Sequence, residues 1–261
     1  MKTLKQYIEN HTNESILDDE DVLLDPERDK EIIKSWIEDN YKIGGRLKIN
    51  NDYTVDCSGG VTVKNTNIES LTNGLFRWGK IGGGFNCYRC ENLKSLEGAP
   101  EKVDGNFSCS KCDKLLSLEG APKEVGRYFN CSYCDKLSSL KGAPEKINSD
   151  FYCNYCENLT SLDGAPKEVG GDFYCSDCKK LTSLKGAPEK VGGSFSCNYC
   201  KNLKSLEGAP KYVGLGFSCG NCDSLTSLKG APEKTKYRLW CKYCKNLKLT
   251  DSDLEKYEII S

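Results

Sequence analysis

A 22-residue unit recurs along this chain without an insertion, and that strict period limits the fold more than any other feature. The first cysteine of a Cys-x-x-Cys pair falls at Cys87, Cys109, Cys131, Cys153, Cys175, Cys197, Cys219 and Cys241. Gly-Ala-Pro closes seven successive units, its proline at Pro100, Pro122, Pro144, Pro166, Pro188, Pro210 and Pro232. One unit, Phe173 to Ser194, reads FYCSDCKKLTSLKGAPEKVGGS. Phe173 and Cys175 alternate, as the inward positions of a short strand do. Cys178 ends that strand and can turn inward, and Leu181 and Leu184 add two more core positions. Gly186 and Pro188 break any helix and force an extended return. Val191 re-enters the core, and Gly192–Gly193 allow the turn into the next strand. One unit cannot bury its own apolar face, whereas stacked units can, as a coiled wall of parallel strands about 4.8 Å apart.

The charges point to the same stacking. The residue after each Gly-Ala-Pro reads Glu101, Lys123, Glu145, Lys167, Glu189, Lys211, Glu233. The next reads Lys102, Glu124, Lys146, Glu168, Lys190, Tyr212, Lys234. In a stack these residues form columns, and alternation turns each column into a ladder of opposite charges. Each exposed pair is worth only a few tenths of a kcal/mol, so the pattern concerns register more than stability.

Seventeen cysteines against one histidine, His11, allow three chemistries. Two neighbouring units give C-x2-C-x18-C-x2-C, within the range of four-cysteine zinc sites. Disulfides are a second reading, although an odd count and the lack of a secretory signal fit a reducing compartment better. The third is a thiol-lined core: buried free cysteine behaves as a small hydrophobe with a weak S–H donor, suited to turn carbonyls. Strict strand alternation of the first cysteine with a phenylalanine favours this third reading. No metal or other cofactor is expected.

The pattern V-x-x-x-F-x-C-x-x-C-x-x-L-x-S-L resembles a leucine-rich repeat of the cysteine-containing kind, over about residues 60–248. By that resemblance Cys90, Cys112, Cys134, Cys156, Cys178, Cys200, Cys222 and Cys244 take the place of the ladder asparagine. The chain departs from the family in placing Phe and Cys where leucines are usual and in lacking a convex helix. The implied fold is mainly β: a right-handed solenoid with one parallel sheet, used for binding.

Both ends of a solenoid need covers. DPERDKEIIKSWIEDNY reads as a helix capped by Asp25, with Pro26 in its first turn and Ile32, Ile33, Trp36 and Ile37 on its apolar face. Leu47, Ile49, Tyr53 and Val55 alternate around an Asn-Asn-Asp turn, as in a hairpin. VTVKNTNIESL is a degenerate first unit. At the far end, Ser252 and Glu255 form a capping box before a short helical cap. The expected organisation is a tail (1–24), an N-terminal cap of helix and hairpin (25–60), a solenoid (61–248) and a C-terminal cap (249–261). MKTLKQYIEN resembles the capsid-targeting peptides of tailed-phage internal proteins, although Glu9 follows Ile8 one position early. The whole layout is similar to uncharacterised repeat proteins of large tailed phages. That resemblance implies a bacterial cytoplasm, or packaging in a virion.

Net charge is −1, so nothing global draws the chain to nucleic acid or membrane. Residues 1–45 carry a net −6, however, and residues 179–248 a net +10. No activated nucleophile, phosphate loop or metalloprotease signature is present, and a site of consensus residues would exist many times over. The expectation is a non-catalytic monomer that binds a protein partner through its strand face, with no role at a membrane. Tyr128, Asp150, Tyr152, Asp172, Tyr174 and Trp240 are the candidate contacts there, because Tyr and Trp anchor interfaces at low entropic cost. Tyr133, Tyr155, Tyr199 and Tyr243 lie near the strand ends. The alternative partner is nucleic acid or another acidic molecule. It would bind the basic half through Lys179, Lys180, Lys236, Arg238 and Lys242, with interleaved aromatics to stack on.

Overall fold

The computed structural model describes residues 26–237 and 239–260. Each 22-residue unit makes one turn of a β-solenoid of about eight turns. Phe-x-Cys places its phenylalanine in a two-residue strand, such as Phe173–Tyr174, that pairs in parallel with its equivalents above and below. Phe151 aligns with Phe173 and Phe173 with Phe195, with no slip. Like residues therefore stand in columns. The rings of Phe85, Phe107, Phe129, Phe151, Phe173, Phe195 and Phe217 form a buried stack with centroids 5.1 to 5.7 Å apart. Each contributes roughly 1.5–3 kcal/mol by burial.

A second ladder accompanies the first. The extended return after Gly-Ala-Pro pairs with its own neighbours, as in Lys190–Val191, so the expected single parallel sheet is joined by another. The molecule has an 11-stranded sheet of phenylalanine strands and a 10-stranded sheet of valine strands. Any extended segment repeated in register exposes backbone groups that its copies can satisfy, and the valine segment meets that condition as well as the phenylalanine segment does. Cys, Leu and Val from the remaining sides fill the space enclosed by the turn. The charge columns form inter-turn ion pairs: Lys102–Glu124 at 2.8 Å, Lys123–Glu101 at 3.1 Å and Lys146–Glu168 at 3.6 Å.

Two backbone features make the turns tight. Gly186 has φ +84°, and a Cβ there would overlap the backbone of Leu162 and Asp163 in the turn below. Its need is therefore both left-handed backbone and close approach. Gly192 has no such φ; a side chain there would overlap the Gly170 carbonyl. The residue before the second cysteine is also left-handed in every unit, although none is glycine: Arg89, Lys111, Tyr133, Tyr155, Asp177, Tyr199, Asn221 and Tyr243, with φ between 57° and 63°.

At the N-terminal end, α1 (Pro26–Asn40) buries Asp29, Ile33, Trp36, Ile37 and Asn40, while Ile32 is only partly covered. Asp29 accepts a hydrogen bond from Tyr53 at 2.7 Å, which accounts for a buried carboxylate in an apolar stripe. The expected helix cap at Asp25 lies outside the described residues. The strand β1 (Tyr41–Ile43) leads into the hairpin β2 (Leu47–Ile49) and β3 (Thr54–Cys57), where Ile49 faces Val55. The degenerate first unit supplies β4 (Val61–Val63), antiparallel to β1 and parallel to Phe85–Asn86. Trp36, Tyr41, Phe76 and Trp78 close this end with tilted and edge-to-face contacts of 5.0 to 5.8 Å.

The C-terminal end differs from expectation. The short helix α2 (Asp251–Lys256) is capped by Thr250 and Asp253, not by Ser252 and Glu255, and buries none of its residues. It starts earlier because Thr250 has the extended backbone a cap requires (φ −99°, ψ 163°). The end of the phenylalanine sheet is covered by the strand Ile259–Ile260, which pairs with Leu239–Trp240.

Substitutions at the two kinds of left-handed position should act in opposite directions. Gly186→Ala is expected to cost about 3 kcal/mol, from strain plus overlap. Tyr243→Gly is expected to stabilise by about 0.5 kcal/mol, because glycine holds φ +63° without the Cβ penalty, less its own entropy cost, and the exposed ring stacks on no neighbour. Urea midpoints of the two variants check both signs.

Candidate functional site

The cysteines form two columns with distinct partners. The first cysteine of each pair sits in the strand, and Cys87, Cys131 and Cys197 donate to the carbonyls of Ser108, Tyr152 and Ser218 in the next turn at 3.2 to 3.5 Å. The second cysteine reaches back to the carbonyl of the preceding unit's first. Cys112 donates to Cys87, Cys134 to Cys109, Cys156 to Cys131, Cys178 to Cys153, Cys200 to Cys175, Cys222 to Cys197 and Cys244 to Cys219, at 3.1 to 3.3 Å. Cys90 has no Cys-x-x-Cys unit before it and is buried all the same.

These carbonyls need a thiol because the chain turns too early. Cys131 donates its N–H to Tyr152, but its carbonyl finds no N–H two residues further along the neighbouring strand. In that region the N–H after the first cysteine is taken by a side chain: Ser132 by Asn130 at 2.9 Å, Asn154 by the buried Ser132 at 3.2 Å, Ser176 by Asn154 at 2.8 Å. The sulfur completes the pairing from inside. All seventeen cysteines are free, and among the described residues no group of three or more His, Cys, Asp or Glu is arranged to hold a metal ion.

On the outer face, three of the sequence-selected tyrosines meet. Tyr152 and Tyr174 stack at 5.3 Å with planes 1° apart, and Tyr128 meets Tyr152 edge-on at 5.9 Å. Asp150 and Asp172 hold them. Asp150 accepts the Tyr152 hydroxyl at 2.9 Å and the Asp172 N–H at 2.8 Å. Asp172 accepts the Tyr174 hydroxyl at 2.9 Å and the Ser194 N–H. Desolvation, followed by the bond to Asp172, pushes the Tyr174 hydroxyl up to about 12. Desolvation and Asp150 push Tyr152 up as well. The two aspartates thus brace the tyrosines as well as facing solvent. Trp240 does not join them. It lies three turns away with its indole over Gly220, where a Cβ would overlap the ring.

The basic residues are not brought into one patch. Lys179 pairs with Glu157, and Lys180 donates to Asn158 at 2.6 Å, both after the second cysteine of their unit. Lys236 stands over Tyr237 at the corner between the sheets, and Lys242 lies inside a Cys-x-x-Cys turn. Arg238 lies outside the described residues. The net charge of +10 is therefore spread over several columns.

A second aromatic group lies along the Cys-x-x-Cys turns. Tyr133 and Tyr155 stack at 4.4 Å, and Lys111 stands 5.3 Å over Tyr133 and 5.7 Å over Tyr88. Arg89 also lies over Tyr88, at 5.4 Å. The 22-residue recurrence of tyrosine before the second cysteine marked part of this row. The lysine and arginine at the same position carry no such recurrence, because their type does not match.

No family model matches the chain, and neither a curated protein nor a solved structure is similar to it at a significant level.

Two measurements check the thiol core. Burial holds the thiols of Cys131, Cys153, Cys175 and Cys219 well above the usual thiol range, and that of Cys241 up to about 11. These groups stay protonated in the fold while the unfolded chain ionises above about pH 8.5. Their contribution is complete below that value and lost as pH rises, at about 1.4 kcal/mol per thiol per pH unit. In reducing buffer, circular dichroism should be flat to about pH 8 and collapse steeply between about pH 9 and 10.5. Cys156→Ala, which leaves the Cys131 carbonyl without its donor, should cost about 2 kcal/mol in urea unfolding. Cys156→Asn, which keeps a donor, should cost less.

Proposed function

We propose that the protein is a non-catalytic binding module whose partner is a protein held on the outer face of the phenylalanine sheet. The observation that carries this reading is the Tyr128–Tyr152–Tyr174 surface. Its rings are already ordered against one another, and two hydroxyls are fixed by carboxylates two residues earlier in the chain. A partner that covers them gains aromatic contact area and loses little side-chain entropy on the module's side. Hot spots in protein interfaces are enriched in such preorganised aromatics.

The cysteine columns have a structural role in this reading. Free buried thiols persist in a reducing compartment, which supports a cytoplasmic site. The resemblance to repeat proteins of large tailed phages makes that a bacterial host, with packaging in the virion as the further step. No helix among the described residues is long and apolar enough to cross a membrane. The nucleic-acid alternative has less support, because Lys179, Lys229 and Lys245 are each matched by a carboxylate in the neighbouring turn. The module reading takes a monomer as the binding unit.

The test is affinity capture from host lysate with the parent chain and with Tyr152→Ala/Tyr174→Ala, both checked for native circular dichroism. A specific partner should be lost, with at least a tenfold fall in affinity, in the double variant. An unchanged partner set removes this face from consideration. Capture that vanishes with nuclease treatment, and that weakens steeply as salt is raised, would favour the alternative.

A further inference from the structure

The column before the second cysteine changes character toward the C-terminal end. Tyr133 and Tyr155, in adjacent turns, stack at 4.4 Å with planes 7° apart. Further on, the column reads Tyr199, Asn221, Tyr243, so an asparagine stands between two tyrosines. All three share the left-handed backbone, with φ 60°, 57° and 63°, and leave the chain in the same way. Turns lie about 4.8 Å apart, which places the flanking tyrosines about 10 Å apart. That gap is two stacking steps and accepts one more ring.

A cleft of about 560 Å³ opens at this place. Tyr199, Asn221 and Tyr243 line it together with Cys244, Leu247 and Leu249, and its charged groups are Lys201, Lys245 and Asp223. Its size falls within the usual range for small-molecule sites. The apolar lining is open because the last turn departs from the repeat: Leu249 stands at the usual serine position, and Gly-Ala-Pro does not follow. Cys244 is accordingly the one cysteine that is not fully buried. Tyr243 is 71 % exposed and Tyr199 46 %, against 41 % for the stacked Tyr155, so the open side of the cleft is at Tyr243. Lys245 is paired with Asp223 at 3.1 Å, which offsets that carboxylate, whereas Lys201 makes no ion pair among the described residues and acts on Asp177 only through its field.

We propose that this cleft binds a planar aromatic anion. Its ring would insert between Tyr199 and Tyr243 above Asn221, and its acidic group would lie against Lys201. Tyr155, Asp177 and Tyr199 have the same spacing, but there the Asp177 carboxylate lies beside Tyr155 and raises its hydroxyl pKa. A carboxylate thus stands there at the column position that the neutral Asn221 amide holds in the cleft. The site is separate from the Tyr128–Tyr152–Tyr174 face and does not depend on its function.

Calorimetric titration of the full chain with 2-naphthoate tests the proposal. One saturable site per chain is expected. Cyclohexanecarboxylate, which lacks the flat ring, and 2-naphthalenemethanol, which lacks the charge, should each bind at least about tenfold more weakly. Asn221→Tyr supplies the missing ring from the chain itself, a residue this column already accepts at Tyr133 and Tyr155, and should reduce naphthoate affinity by at least about tenfold. Tyr243→Ser changes an exposed side chain and gives an independent reading if Asn221→Tyr disturbs the fold. The proposal is overturned by the absence of saturable naphthoate binding, by equal binding of cyclohexanecarboxylate, or by parental affinity in a folded Asn221→Tyr or Tyr243→Ser variant.

Discussion

Equivalent residues of successive 22-mers lie directly above one another, and every other feature depends on that register. A one-residue slip would move the phenylalanines to solvent and the outer tyrosines to the core. It would also separate each second cysteine from the carbonyl it serves. The thiol bonds are weak individually, but each answers a buried carbonyl that would otherwise cost about 1–3 kcal/mol. They give each buried cysteine of the second column a structural role in the fold. A small side chain with one donor fits a wall where a leucine could not reach the carbonyl.

The same register shapes the surface. A residue type repeated at intervals of 22 becomes a stack, so tyrosines at two repeat positions become two aromatic rows. Charges at two others become ladders. Polar groups on the face are engaged within the stack: Asp150, Asn154 and Asp172 side chains accept N–H groups of the next turn, and Asn130 accepts one from its own. The face is therefore stiff. It offers ring surfaces more than free hydrogen-bonding groups.

The two ends show how far local pattern can be trusted. The helix stripe Ile33, Trp36, Ile37 and the alternation around Asn50–Asn51–Asp52 were legible because each is an ordinary local signal. Asp29 was not, since its partner Tyr53 is distant in sequence. The C-terminal cap was misplaced by two residues, because Thr250 and Ser252 are both competent caps and backbone geometry chose between them. The second sheet was half legible: an extended return after Gly-Ala-Pro was expected, its pairing was not. Two residues per strand are too few for a periodic signal.

The sequence alone determined the period, the stacked solenoid, the inward positions and the alternating charge columns. Each follows from repetition at a fixed spacing together with the need to bury one face per turn. It also placed tyrosines and aspartates on the outer face. Only the tertiary structure decided that Asp150 and Asp172 brace Tyr152 and Tyr174, that Trp240 stands apart, and that the lysines are dispersed. Those outcomes depend on which side chain in one turn reaches which group in the next, and spacing along the chain carries no information about that direction.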